Sequence, residues 1–280
     1  MLQEASEVSA SLDRRFGGLA RLYGYAGAQR IRAAHIAVVG LGGVGSWAAE
    51  VLARSGVARL TLIDLDHIAE SNINRQVHAL ETTLGQAKVQ AMRSRIADIN
   101  PECRVDCIEE FVDAQNWPDI LGLDLKFDRK QFAVIDACDQ VKAKTAMAAW
   151  AVKNKVSLVT VGAAGGKRLA HRVDIDDLST VTHDPLMAKM RYNLRKEHGF
   201  TRAGKLNVVC VFSHEQVAQP ATAIELSVHE NEAVTGALQQ HGKSRASDGG
   251  LNCHGYGSVA SVTAAFGMCA ASWVLNEIAD

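Results

Sequence analysis

The chain reads as an α/β protein with a Rossmann-like, doubly wound and mostly parallel sheet. Short apolar runs alternate with helical segments across residues 35–166, a glycine-rich turn links the first run to the helix after it, and acidic or glycine residues gather where the runs end. That alternation is the mark of βαβ units, in which ligands sit beyond the carboxyl ends of the strands. With 280 residues, 48% of them hydrophobic and 22% charged, the chain is too apolar for whole-chain disorder;. A net charge of -1, from 30 Lys+Arg against 31 Asp+Glu, means that any nucleic acid must be held by a local basic patch;.

His35 to Gly40 is an apolar strand, Leu41 to Gly45 a tight turn, and Ser46 to Ser55 an Ala-rich helix closed by Gly56;. Arg59 to Asp64 follows as a second strand, which completes a βαβ unit with parallel strands and a right-handed crossover;. Gln86 to Ile99 has helical spacing and stops at Asn100-Pro101, and Arg104 to Ile108 alternates as a strand. Residues 123–131 are charged and aperiodic, which suits a surface insertion. Phe132 to Asp136 is a buried strand, Val141 to Asn154 a helix, and Ser157 to Val161 a strand entering Gly162 to Gly166.

Beyond about residue 170 the rhythm fades, and Leu206 to Phe212 is the one strong later strand. Residues 229–255 are polar and glycine-rich, as expected of a mobile loop;. Gly257 to Leu275 is uncharged but rich in Ala, Ser and Gly; a buried core helix is expected, with membrane association through 257–275 as the alternative;. Residues 1–280 are thus expected to form one domain, with a nucleotide-binding core at 35–166 and a substrate-facing part at 167–280. Six cysteines without a C-x-x-C pair, and an N-terminus without a signal-peptide layout, suggest a reduced cytoplasmic setting;.

Gly40, Gly42, Gly43 and Gly45 satisfy G-x-G-x-x-G between a strand and a helix, where backbone N–H groups can hold phosphate;. Asp64 ends the next strand, as a ribose-binding carboxylate does, and NAD and ATP both remain open at this point;. Asp66, Asn72, Arg75, Gln76 and Lys88 follow closely. A dinucleotide needs little cationic help, whereas a triphosphate calls for cations, so Arg75 and Lys88 favour ATP and are the candidate phosphate ligands. Asp136 and Asp139 end another strand; Asp139 is the candidate Mg²⁺ ligand, with a helix N-cap role as the alternative;.

Cys253 ends the polar loop ahead of the uncharged helix and is a candidate nucleophile, with packing as the bland alternative;. Lys189, Arg191, Arg195, Lys196, Arg202 and Lys205, interleaved with Tyr192 and Phe200, form a basic segment suited to RNA phosphates and an extruded base; a solvated helix face is the alternative;.

In order and spacing, Gly40 to Ser46, Asp64 to Asp66, Ser71 to Gln76, Gly85 to Lys88 and Asp136 to Asp139 resemble the adenylating domain of the ubiquitin-activating (ThiF-like) superfamily. The wider run, from Arg15 to Gly24 through Asn74 to Leu80 and Asn100 to Arg104 to Asp184-Pro-Leu, is similar to the bacterial tRNA threonylcarbamoyladenosine dehydratases over nearly the whole chain. The resemblance implies an enzyme that uses ATP and Mg²⁺ to adenylate the threonylcarbamoyl carboxylate on tRNA adenosine 37, after which ring closure expels AMP. It further implies a homodimer in which an arginine, Arg15 or Arg21, reaches the partner's phosphates, and a cysteine desulfurase with its sulfur acceptor as associated proteins. The rival readings are adenylation of a ubiquitin-like sulfur carrier's C-terminus, a non-catalytic scaffold for sulfur transfer and an NAD-dependent oxidoreductase.

Overall fold

A computed structural model describes residues 13–122, 128–218 and 256–280. Its elements run α1 (Gly18–Ala33), β1 (His35–Val39), α2 (Gly45–Arg54), β2 (Arg59–Ile63), α3 (Lys88–Ile99), β3 (Arg104–Ile108), β4 (Phe132–Asp136), α4 (Val141–Asn154), β5 (Ser157–Val161), β6 (Val173–Asp177), α5 (Pro185–Glu197), β7 (Val209–Ser213) and α6 (Ala260–Ala279). The strands form one sheet in the order β3-β2-β1-β4-β5-β7-β6. All neighbours pair in parallel except β6, which runs antiparallel to β7. The strand order reverses between β1 and β4, which opens a crevice at the carboxyl ends.

The period-two pattern of the strands divides the core. Ile36 and Val38 face one side, where α1, α2, α3 and α6 contribute Ile31, Leu52, Met92 and Phe266; Ala37 and Val39 face the other, where α4 and α5 contribute Met147 and Met190;. Helices on both faces and a largely parallel sheet are the architecture expected from the sequence.

One element departs from expectation, and the C-terminal helix follows it. The acidic run Val173–Asp177 is the edge strand β6, with half-buried Val173 and Ile175 alternating with exposed Asp174 and Asp176. Its charges leave it hard to read as a strand and suit it to an unpaired edge. The uncharged C-terminal segment is α6, the one described helix long and apolar enough to cross a membrane, and it lays Val262, Phe266, Ala270, Val274 and Ile278 into the core. The whole of the 229–255 loop, Cys253 included, and residues 123–127 of the 123–131 stretch lie outside the described residues.

Candidate functional site

A cavity of about 550 Å³ opens at the crevice, lined by Gly40, Gly42 and Gly43 after β1, Asp64 and Asp66 after β2, Phe111 after β3, Cys138 and Asp139 after β4, and Gly162 to Ala164 after β5. Two positions of the turn require glycine. Gly40 has φ +85°, and a Cβ there would meet the Ala137 carbonyl at 2.9 Å; a Cβ on Gly45 would come within 1.8 Å of the Gly40 carbonyl;. The turn therefore folds tightly enough to start α2 at Gly45, and Gly42, Gly43 and Val44, just ahead of that helix, line the cavity;.

Asp64 is held by its own neighbours: the Leu41 N–H donates to Oδ2 at 2.6 Å and the Asp66 N–H to Oδ1 at 2.9 Å. Burial pushes its carboxyl above the ordinary range, and the Lys88 ammonium, 3.7 Å away, and the two backbone donors offset only part of this. Two carboxylate oxygens can still accept further bonds from ribose hydroxyls. Lys88, the first residue of α3, is 5% exposed and donates to Asp66 Oδ2 at 2.7 Å. Its charge is thus shared by two carboxylates at the cavity wall.

Arg75 donates through Nη1 to the Ser71 carbonyl at 2.5 Å and to Asn74 Oδ1 at 2.9 Å, and forms no ion pair with any described residue. Its backbone carbonyl accepts from Trp47 Nε1 at 3.0 Å and from Thr263 Oγ1 at 3.4 Å, which ties the loop to α2 and α6. Asn72 and Gln76 also line the cavity from buried positions; Asn72 Oδ1 accepts from the Ala69 N–H, and Gln76 Oε1 is buried with no partner among the described residues. Gly40 to Gly45, Asp64, Asp66, Asn72, Arg75, Gln76, Lys88 and Asp139 are therefore gathered at one site.

Asp136 is a correction. Its side chain is 0% exposed and does not reach the cavity: Lys144 Nζ lies 3.0 Å from Oδ1, Thr160 Oγ1 donates to Oδ2 at 2.7 Å, and the Cys138 thiol donates to Oδ1 at 3.1 Å. Lys144 also donates to the carbonyls of Asp136 and Cys138, at 3.2 and 3.0 Å, and so pins the chain leading to Asp139. Burial, the largest single influence, opposes the Lys144 charge, but the charge and hydrogen bond of Asp136 together with the neighbouring Cys138 and Cys210 hold the ammonium above its ordinary pKa. Asp139 itself is exposed into the cavity and bonds to no described residue; Gln140, not Asp139, occupies the N-cap of α4, without a side-chain cap. Burial and the Asp136 charge push the Cys138 thiol well above its ordinary value, which leaves it protonated and unreactive;.

Neither Arg15 nor Arg21 lines this chain's cavity; Arg15 donates to the Ile99 carbonyl at 2.8 Å and Arg21 is exposed. The basic segment also separates. Arg191 Nη1 donates to the carbonyls of Leu178 and Val181, at 2.8 and 2.9 Å, and Arg195 donates to that of Thr201 at 3.1 Å. Lys189, Lys196, Arg202 and Lys205 are exposed. Phe111 and Thr263, which line the cavity, and Lys144, buried behind it, are residues that sequence reasoning missed. Lys144 had a signal: it falls on the same helical stripe as the buried Met147, Ala148 and Ala151;.

A glycine turn, the carboxylates of Asp64 and Asp66, the cations of Arg75 and Lys88 and the free carboxylate of Asp139 thus line one crevice. The chain is 40% identical over 274 residues to the tRNA threonylcarbamoyladenosine dehydratase of Escherichia coli, covering 97% of this chain and 96% of that protein. It is 38% identical over 269 residues to the dehydratase of the same name from Haemophilus influenzae, covering 95% and 94%. The solved structure of the Escherichia coli dehydratase in complex with ATP superposes with a TM-score of 0.79 at 39% identity, covering 96% of this chain and 95% of that one. Residues 14–279 match the family model described as ThiF, and the chain belongs to the ThiF family.

Proposed function

We propose that this protein is an ATP-dependent tRNA threonylcarbamoyladenosine dehydratase. The observation that carries the reading is the convergence, in one cavity, of the Gly40–Gly45 turn with Asp64, Arg75, Lys88 and Asp139, in a chain similar at full length to dehydratases of that name. The threonylcarbamoyl carboxylate on tRNA adenosine 37 attacks the α-phosphate of ATP, the bond to the β-phosphate breaks, and pyrophosphate leaves. The ureido oxygen then attacks the activated carbonyl carbon, its nitrogen loses a proton, AMP departs, and a five-membered ring remains.

The chain's part in this is to hold and to offset charge. Asp64 accepts from the ribose hydroxyls, the turn and the start of α2 donate to phosphate oxygens, and Arg75 and Lys88 stabilise charge that grows on the phosphates. Among the described residues no group of three or more His, Cys, Asp or Glu gathers as a metal site. The lone free carboxylate of Asp139 beside a phosphate site instead suits Mg²⁺, which takes one or two carboxylates together with phosphate and water. When bound there, Mg²⁺ would screen charge between the phosphates.

The same reading makes the protein a cytoplasmic homodimer in which Arg15 or Arg21 reaches the partner's phosphates, and it leaves a cysteine desulfurase pair as an associated system. The test is turnover with ATP, Mg²⁺ and threonylcarbamoylated tRNA. AMP and pyrophosphate formed in step with loss of one water from the nucleoside is the expected result; ATP binding without tRNA-dependent AMP rejects it.

A further inference from the structure

We propose that the outer stripe of α5, formed by Lys189, Tyr192 and Lys196, is a stacking platform for an unpaired base of the tRNA anticodon loop, next to the nucleotide being modified. The proposal rests on the tRNA reading above and narrows it to one surface. On α5 the apolar side, Leu186, Met187, Met190 and Leu194, is buried against the sheet. Lys189, Tyr192 and Lys196 recur three and four residues apart on the opposite side, which places them on one exposed face.

Tyr192 is 54% exposed, and the ammonium groups of Lys189 and Lys196 lie 5.5 and 5.7 Å from the centre of its ring. Neither lysine forms an ion pair with a described residue. The segment Pro185 to Lys205 carries six cations and one acid, Glu197. Arg191 and Arg195 are committed to carbonyl groups of the fold, so the charge left for a polyanion on α5 is that of the two lysines beside the tyrosine. An aromatic face with a cation on either side in sequence is what a single-stranded nucleotide needs: a base stacks on the ring while the ammonium groups turn outward to its phosphates. A surface cation–π contact is held more weakly than a stacked base, so the exchange is favourable.

Position supports the same occupant. Asp184 caps α5, accepting from the Met187 N–H at 3.0 Å, and its other oxygen accepts from the Ala163 N–H at 2.8 Å. Ala163 and Leu186 both line the nucleotide cavity, so α5 starts at the cavity rim. Six residues of helix separate Leu186 from Tyr192, roughly 9 Å along the axis at about 1.5 Å per residue. That is about three stacked nucleotide steps, within reach of a loop whose modified adenosine enters the cavity.

The experiment is equilibrium binding of full-length tRNA, with and without the threonylcarbamoyl group, to the intact protein, beside steady-state kinetics and thermal melting. Tyr192→Ala is expected to weaken tRNA binding roughly tenfold and to raise the tRNA KM similarly, while the ATP KM and the melting temperature stay at wild-type values. Tyr192→Phe should bind within about twofold of wild type. Lys189→Gln and Lys196→Gln should each flatten the slope of log affinity against log salt by about 0.7. Wild-type affinity in Tyr192→Ala, or equal loss in Tyr192→Phe, overturns the platform and leaves the dehydratase reading standing. A Tyr192-dependent tRNA complex that consumes no ATP supports the platform and sinks the dehydratase reading, and a wild-type protein that binds no tRNA overturns both.

Discussion

Lys144→Met tests whether the buried ion pair behind the nucleotide cavity holds the site together. Lys144 and Asp136 are both 0% exposed, and the ammonium makes three contacts within 3.2 Å: the Asp136 carboxylate and the carbonyls of Asp136 and Cys138. Methionine fills much the same volume but brings no charge and no donor. The variant leaves a carboxylate inside the protein with only Thr160 and Cys138 as donors, and removing one partner of such a pair costs about 3–5 kcal/mol. At roughly 2–4 °C per kcal/mol for a chain of this size, the thermal midpoint falls by roughly 6–20 °C. The double variant Asp136→Asn with Lys144→Met removes the stranded charge while Asn still accepts from Thr160, and should recover at least about 2 kcal/mol relative to Lys144→Met alone. Circular dichroism melts and urea titrations of the four proteins give the coupling. A Lys144→Met cost below about 1 kcal/mol, or a double variant as unstable as the sum of the singles, refutes the reasoning. The pH dependence has a fixed sign. Because the pair holds Lys144 above the ordinary value of 10.5, its contribution is complete below that pH and is lost only as pH rises through the folded value;.

Three further outcomes follow from the geometry. Asp139→Ala should lower tRNA-dependent AMP formation roughly a hundredfold or more while the fold and melting temperature persist, since Asp139 bonds to nothing described;; near-wild-type AMP formation at saturating Mg²⁺ would reject its role. Lys88→Ala should cost more ATP affinity than Arg75→Ala by calorimetry, because Asp64 and Asp66 then face the phosphates without their counter-charge, whereas Arg75 has no acid to unmask;. The reverse order would show that the carboxylates do not feel the triphosphate. His78 is 1% exposed, and burial, with the charges of Lys88 and Arg95, holds its pKa down to about 4. The unfolded chain takes up that proton near pH 6.5, so stability should fall by about 3 kcal/mol as pH drops from 6.5 to about 4; His78→Leu should flatten part of that decline, and an unchanged profile would exclude His78 as its source.

The legible part of the molecule was the part whose meaning is local. Gly40 to Gly45 with Asp64 sits inside one βαβ unit, where the turn fixes the backbone and the unit's own strands fix the carboxylate, so motif and geometry are nearly the same fact. Asp136 shows the limit. It ends a strand as a ligand does, but its fate is set by Lys144, eight residues later on the inner side of a helix, and a strand-end acid looks the same in sequence whether it faces a ligand or a buried ammonium. Arg191 and Arg195 likewise read as surface cations until the carbonyls of Leu178, Val181 and Thr201 claim them.

The remaining wall of the site comes from far along the chain. Thr263, on α6, donates to the carbonyl of Arg75 across 188 residues, and a Cβ on Gly43 would meet its Cγ2 at 3.1 Å. Nothing in the uncharged run around Thr263 marks it as part of a nucleotide site, because its role depends on α6 packing over α2 and the sheet. That packing also explains the helix's composition. A helix pressed against α2, the sheet and the phosphate turn needs small residues for close approach and cannot carry charge on its inner face. The result is a segment with the hydropathy of a membrane span and the contacts of a core helix, and what separates the two is where Val262, Phe266 and Ala270 are buried. The glycine turn is therefore packed against the C-terminal helix at the cavity wall, so residues more than 200 positions apart in the chain shape one site.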